Sequence, residues 1–274
     1  MIRFQRAAAL LGFSLAAASS LAGTAWADKM QARYAVTLVG LPIGSASADG
    51  SIDDTGYKLE VTARLSGLAA MVSSSKAALV ATGGVGSNGV LPATYATTAA
   101  NDKETRTVRM AMSAGTVKGV DISPPIEEQP GRVPLTEASK RNILDPVSAL
   151  LMQVPAGQPM LGPASCPRSI PVFDGYTRFD ITMSYVGTKN VKTKGYAGPV
   201  VVCAVRYTPV AGHRPDRKGT QFMANNRKIE AWLAPIEKSR MMVPFHVSMA
   251  TMVGTAVIDA TEFNISPSQS AAGR

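Results

Sequence analysis

Alternation of apolar and polar positions dominates the chain from residue 30 onward. Tyr34, Val36 and Leu38 alternate with small or polar residues. Gly40-Leu41-Pro42-Ile43-Gly44 then interrupts the pattern as a turn or bulge, and Ala46 and Ala48 open a second strand. Between residues 57 and 65, Tyr57, Leu59, Val61 and Ala63 face one way and Lys58, Glu60, Thr62 and Arg64 the other, the half-solvated pattern of an antiparallel sheet. Further short strands are predicted at 75–82, 93–100, 104–112 and 117–122, spaced by turn signals as in an all-β sheet or barrel. Residues 123–137 carry four prolines and read as an irregular surface crossing.

A helix is predicted next. Asp145 can cap it and Pro146 suits its first position. Val147, Leu150, Leu151 and Val154 fall at i, i+3, i+4 and i+7, so a two-turn helix over 145–153 would lay one apolar face on the concave side of the sheet. Strands resume at 169–173 and at 178–186, where Phe179, Ile181, Met183 and Tyr185 share a face. Others follow at 199–208, 229–234, 239–249 and 254–265. Residues 66–72 suit either a short helix or a continuing strand, and 211–228 form a basic loop without periodicity. The expected architecture is mainly β, a curved antiparallel sheet forming an open β-barrel or β-spiral with one short helix on its concave face.

The N-terminus changes the compartment. Arg3 and Arg6 precede an uncharged run from Ala7 to Leu21, and Ala25-Trp26-Ala27 is a small-x-small site. These are the parts of a secretory signal cut after Ala27. The expected organisation is a signal peptide over 1–27, one β domain over 28–267 and a disordered tail over 268–274, in a soluble periplasmic protein. No later stretch is long and apolar enough to span a bilayer as a helix. Losing Arg3 and Arg6 takes Lys+Arg from 28 to 26 against 19 acids, a net charge of +7. That favours anionic surfaces, but the scattered basic residues supply no nucleic-acid recognition element. Cys166 and Cys203 are the only two cysteines, and in an exported chain they are most simply one disulfide. Two free thiols or a redox pair are the alternatives, and the redox reading expects a C-x-x-C spacing that is absent.

Candidate chemistry is sparse. Gly84-Val85-Gly86-Ser87-Asn88-Gly89 matches G-x-G-x-x-G, but Pro92 and a strand follow it where the dinucleotide motif needs a helix, so a glycine-rich turn accounts for it. His213 and His246 lie far apart, without a metal-ligand spacing. No G-x-S-x-G elbow is present. The expectation is therefore no enzyme, no cofactor and no metal.

Three readings remain. In the first, the concave sheet binds a lipid, another hydrophobic ligand or an envelope protein, with Val147, Leu150, Leu151, Phe179, Ile181 and Met183 as the apolar face. The chain's 13 methionines suit either such a surface or an ordinary core. In the second, the protein is an envelope scaffold acting through Arg214, Arg217 and Lys218 of the basic loop. In the third, His246 converges with serine and aspartate side chains in a hydrolase cleft.

A group of short motifs carries a resemblance. These are Asn142-Ile143-Leu144-Asp145-Pro146-Val147-Ser148-Ala149-Leu150-Leu151, Arg178-Phe179-Asp180, Gly195-Tyr196, Ile229-Glu230-Ala231-Trp232-Leu233 and Arg240-Met241-Met242-Val243-Pro244. In this order they resemble the DUF3108 family over roughly residues 30–262. The resemblance implies an exported, mostly β domain of the cell envelope, similar in architecture to the open sheets of lipoprotein carriers, and brings no catalytic residues.

Overall fold

A computed structural model describes residues 26–66, 74–127, 129–166 and 168–269. The signal peptide expected over 1–27 falls almost wholly outside them, as does the segment 67–73.

Among the described residues, fourteen strands form one antiparallel sheet. The first meander comprises β1 (Trp26–Leu38), β2 (Leu41–Ile52), β3 (Gly56–Leu65), β4 (Lys76–Gly86), β5 (Gly89–Ala100), β6 (Thr105–Ser113) and β7 (Thr116–Ser123). The second comprises β9 (Arg168–Phe173), β10 (Arg178–Thr193), β11 (Tyr196–Ala211), β12 (Ile229–Ile236), β13 (Met241–Thr251) and β14 (Gly254–Gln269). Pairing of β1 with β14 joins the meanders, and the two-residue β8 (Met152–Gln153) adds to β13. The sheet ends in β7 on one side and β9 on the other, so no strand pairing closes it. The last strand reaches Gln269, beyond the expected 265 and two residues into the expected tail.

The seam between β7 and β9 is bridged by contacts of another kind. Gly175, in the β9–β10 turn at φ 107°, faces β6, and a β-carbon there would lie 2.5 Å from a Val108 methyl. Only glycine combines that backbone conformation with so close an approach. The residues leading into Asp145 stitch across as well. The Ile143 amide donates to the Gly115 carbonyl at 3.0 Å, while Leu144 exchanges backbone bonds with β9 through Pro171 and Phe173.

Burial separates into two layers. The first cluster fills one end of the inner face and includes Met30, Leu59, Tyr95, Met110, Ile143, Val147, Leu151, Val243, Phe245 and Phe263. The second lies on the opposite face of β9–β13, where residues 152–166 cover it, and includes Met152, Val154, Ile170, Met183, Val201, Val205, Leu233 and Met242. Cys166 and Cys203 are disulfide-bonded inside this second layer, with Cα atoms 5.6 Å apart. In the chain-entropy description, closing a loop of 37 residues constrains the unfolded chain by about 4 kcal/mol. Seven methionines are buried in these two layers, so methionine here is chiefly core material.

The helix expected over 145–153 does not form. That segment holds one 3-10 turn, Ser148–Leu150, before it enters β8. Val147 and Leu151 bury against the first cluster, whereas Met152 and Val154 bury against the second. The chain thus passes between two layers, and an extended segment buried on both sides mimics helical periodicity. The α-helix, α1 (Lys218–Asn225), lies instead in the basic stretch read as a loop, packed near β11.

Candidate functional site

The inner face of β2–β5 grades from closed to open. Cross-strand pairing aligns Leu59 with Ala81 and Tyr95, then Val61 with Leu79 and Thr97, then Ala63 with Ala77 and Ala99. The first row is buried, the second partly buried, and the third ends in the exposed Ala99. Large side chains fill one end and alanines line the other, so the sheet's curvature leaves space there.

That space is a cleft of about 460 Å³ lined by Val36, Gly44, Ala63, Leu65, Ala77 and Ala99, with Arg64, Lys76, Glu104 and Arg106 at its margin. Arg106 pairs with Glu104 at 2.6 Å. Arg64 donates to the Ser45 hydroxyl at 3.2 Å and has no carboxylate partner among the described residues. The cleft thus combines an apolar floor with a cationic lip, within the size range of small-molecule sites. A second hollow, about 630 Å³, shares Arg64, Lys76 and Ala77 and continues over the alternate row Arg33, Ser47, Thr62, Ala78 and Thr98. Tyr34 continues the alanine row, paired with Ala46; it lines the second hollow and packs against the first cluster, and its hydroxyl donates to the Pro244 carbonyl at 2.8 Å. Burial pushes its ionisation above the ordinary range, so it stays neutral.

The six residues proposed as one apolar face are not brought together. Val147, Leu151 and Leu150 pack on the first cluster, whereas Met183, Phe179 and Ile181 pack on the second. Strand alternation places the two sets on opposite faces of the sheet, and the alanine row of the actual cleft was missed. Its signal was visible in retrospect: Ala46, Ala48, Ala63, Ala77 and Ala99 hold inward positions at which strands ordinarily carry bulk.

The basic loop divides similarly. Arg214 is paired with Asp216 at 2.8 Å, and Arg217 donates to the Gln129 side chain at 3.3 Å. Lys218 instead joins Arg227, Lys228 and Phe222 around an open hollow of about 710 Å³ beside α1, which contains no acidic residue.

Two polar constellations invite a catalytic reading. Asp145, Ser148 and Tyr57 are all buried. The Asp145 carboxylate accepts the amides of Val147 and Ser148 and the Ser148 hydroxyl, and the Tyr57 hydroxyl donates to Ser148 at 2.5 Å. Burial holds the Asp145 carboxyl above the ordinary carboxylate range, with these bonds opposing the shift. The set is enclosed, and it anchors the turn that plugs the sheet. The second constellation is Trp232 with His246. Their rings stack at 4.0 Å, and the Lys189 ammonium lies 4.1 Å from the same indole centroid. His246 Nδ1 bonds Asp259 at 3.0 Å, and the indole N–H donates to Glu230. His246 therefore meets an aspartate but no serine among the described residues, and Trp232 is engaged by both His246 and Lys189.

No group of His, Cys, Asp and Glu suited to a metal ion occurs among the described residues. None of their helices is long and apolar enough to cross a membrane, which leaves strand-based spanning unaddressed. The Gly84–Gly89 run is the β4–β5 hairpin, with Gly86 paired to Gly89.

Comparison with known proteins agrees with the fold. No curated protein matches the chain. A crystal structure described as a beta-barrel-like protein of domain of unknown function DUF1849 from Brucella abortus superposes over 87% of this chain and 98% of its own, with a TM-score of 0.50 at 12% identity. That likeness concerns the fold. The family described as protein of unknown function (DUF3108) matches residues 33–261, and the chain belongs to that family.

Proposed function

We propose that the protein is an exported, non-catalytic binding protein of the bacterial periplasm. Its ligand is an amphiphile, whose apolar chain lies along the alanine row of the inner cleft while an anionic head meets Arg64 and Lys76. The observation that carries this reading is the gradient along the inner face, from the packed Leu59–Ala81–Tyr95 row to the open Ala63–Ala77–Ala99 row. Apolar surface left uncovered in a concave site gains stabilisation in proportion to the area a ligand removes from water. The cationic lip adds orientation more than affinity.

Displacement of a fluorescent fatty-acid analogue tests the reading. Binding in the micromolar range is expected, and Ala77→Leu, which fills the floor, should weaken it at least about tenfold without lowering stability. Equal binding by wild type and variant, or none by wild type, would refute the proposal. Native mass spectrometry of protein taken from its own envelope would then identify the head group. The scaffold reading through Arg214 and Arg217 has less support, because both side chains are already engaged within the protein.

A further inference from the structure

Two hairpin tips meet at the end of the sheet where the inner cleft opens. The β1–β2 tip carries Val39 and Leu41, exposed to 63% and 60%, and the β13–β14 tip carries Met252 and Val253, exposed to 62% and 70%. β1 and β14 are paired, so the tips are neighbours. The Val39 amide donates to the Thr255 carbonyl at 2.8 Å, and the Val39 side chain takes up the space in front of Gly254. Four large apolar side chains thus stand together in water, where scattered single residues would be unremarkable.

The backbone adds an independent observation. Val39 has φ 53°, a left-handed conformation. A β-branched residue is a genuine outlier there, and turns of this kind ordinarily use Gly, Asn or Asp. The tip thus keeps a strained apolar residue where an unstrained polar one would suit the turn better.

Cations without a carboxylate partner among the described residues flank the tips. The Lys228 carbonyl accepts the Ala250 amide, two residues from Met252, and with Lys218 and Arg227 Lys228 lines the acid-free hollow beside α1. Arg64 and Lys76 lie at the same end of the sheet, at the ends of β3 and β4 that face the β1–β2 tip. Of the acids at this end, Glu104 and Asp216 are paired with arginines, and Asp102 accepts bonds from Ser74.

We propose that this rim docks the protein on an anionic lipid bilayer, with Val39, Leu41, Met252 and Val253 entering the interface and Lys218, Arg227 and Lys228 meeting lipid phosphates. Apolar residues that penetrate the acyl boundary beside cations that stay at the head groups are the shared chemistry of interfacial anchors. A bilayer fits these tips better than a protein pocket does, because they protrude and cations flank them on both sides, Arg64 and Lys76 on β3 and β4 and Lys218, Arg227 and Lys228 beside α1. The inference does not require the inner cleft to hold a ligand.

Cosedimentation with vesicles of equal phosphatidylglycerol and phosphatidylcholine, against phosphatidylcholine alone, tests it. Wild type should bind the anionic vesicles at least about tenfold more tightly, and the binding should weaken as salt rises. Leu41→Ser combined with Met252→Gln and Val253→Ser should lower binding at least about tenfold, with unchanged far-ultraviolet circular dichroism and thermal midpoint. Arg227→Glu with Lys228→Glu should abolish the preference for anionic vesicles. The proposal is overturned if wild type does not cosediment at low salt, or if the tip variant binds as wild type does. It is also overturned if ultracentrifugation finds a dimer that the tip variant dissociates without any vesicle binding, which would make a second copy the occupant.

Discussion

Val39 and Gly254 hold each other in place across neighbouring hairpins: a β-carbon on Gly254 would occupy the space of the Val39 side chain, and both residues have positive φ, 53° and 128°. Left-handed backbone at a β-branched residue costs roughly 1–3 kcal/mol. Val39→Gly should therefore raise stability by about 1 kcal/mol in urea denaturation while weakening vesicle binding. A variant less stable than wild type would show that the Val39 side chain contributes more to the fold than its strain costs.

Gly254→Ala should act in the opposite direction. It adds a β-carbon against Val39 at a φ that L-residues rarely adopt, so a loss of about 2 kcal/mol is expected. Gly175→Ala should cost a similar amount by forcing the β9–β10 turn off Val108. Hydrogen exchange distinguishes the two: Gly175→Ala should speed exchange in β7 and β9, which flank the open seam, and Gly254→Ala in β13 and β14.

The buried Asp145 sets a pH dependence. Its folded carboxyl titrates above the ordinary value because of burial. The folded state therefore holds a proton that the unfolded state has lost, beginning near the ordinary carboxylate range. This group's contribution is most favourable at low pH and falls as pH rises through the raised folded value. Asp145→Asn keeps an acceptor for the Val147 and Ser148 amides and removes the charge. Its stability relative to wild type should rise between pH 4 and pH 7, measured by urea midpoints at each. A constant difference across that window would mean that Asp145 is not desolvated. Asp145→Ala, which leaves buried donors unpaired, should cost about 2–4 kcal/mol at either pH.

Reduction of the Cys166–Cys203 bond should lower stability by about 2–4 kcal/mol. Both sulfurs are buried in the second layer, so mild reductant should leave the folded protein intact and reach the bond only after partial unfolding. Alkylation followed by mass measurement, with and without denaturant, separates these outcomes.

Much of the sheet was legible because its strands are half-exposed. β3 reads directly as Tyr57, Leu59, Val61 and Ala63 against Lys58, Glu60, Thr62 and Arg64. The cysteine pairing followed from their number and the expected compartment. The capping role of Asp145 was also readable, since its carboxylate does accept the amides of Val147 and Ser148, although the helix it was expected to start does not form. What followed it was not. Val147, Leu150, Leu151 and Val154 satisfy a helical period because two core layers claim them from opposite sides, a tertiary cause that sequence spacing does not contain. The helix α1 leaves no sequence period, because Phe222 and Met223 are adjacent.

The site was least legible where it depends on curvature and register. Phe179, Ile181 and Met183 do share a strand, but which face of the sheet lies inward is decided by pairing far along the chain. The alanines of the cleft carry no motif; their meaning appears once Ala63, Ala77 and Ala99 are aligned by three paired strands. Val39 and Met252 are more than 200 positions apart in the sequence, and only the β1–β14 pairing makes them one surface.

Paramagnetic broadening of backbone amides by a spin-labelled fatty acid tests the proposed binding site most directly. With the label near the end of the acyl chain, broadening should centre on Ala63, Ala77 and Ala99 and leave the packed row at Leu59, Ala81 and Tyr95 sharp. Broadening absent from the alanine row, or confined to the exposed tips at Val39 and Val253, would contradict a ligand in the inner cleft.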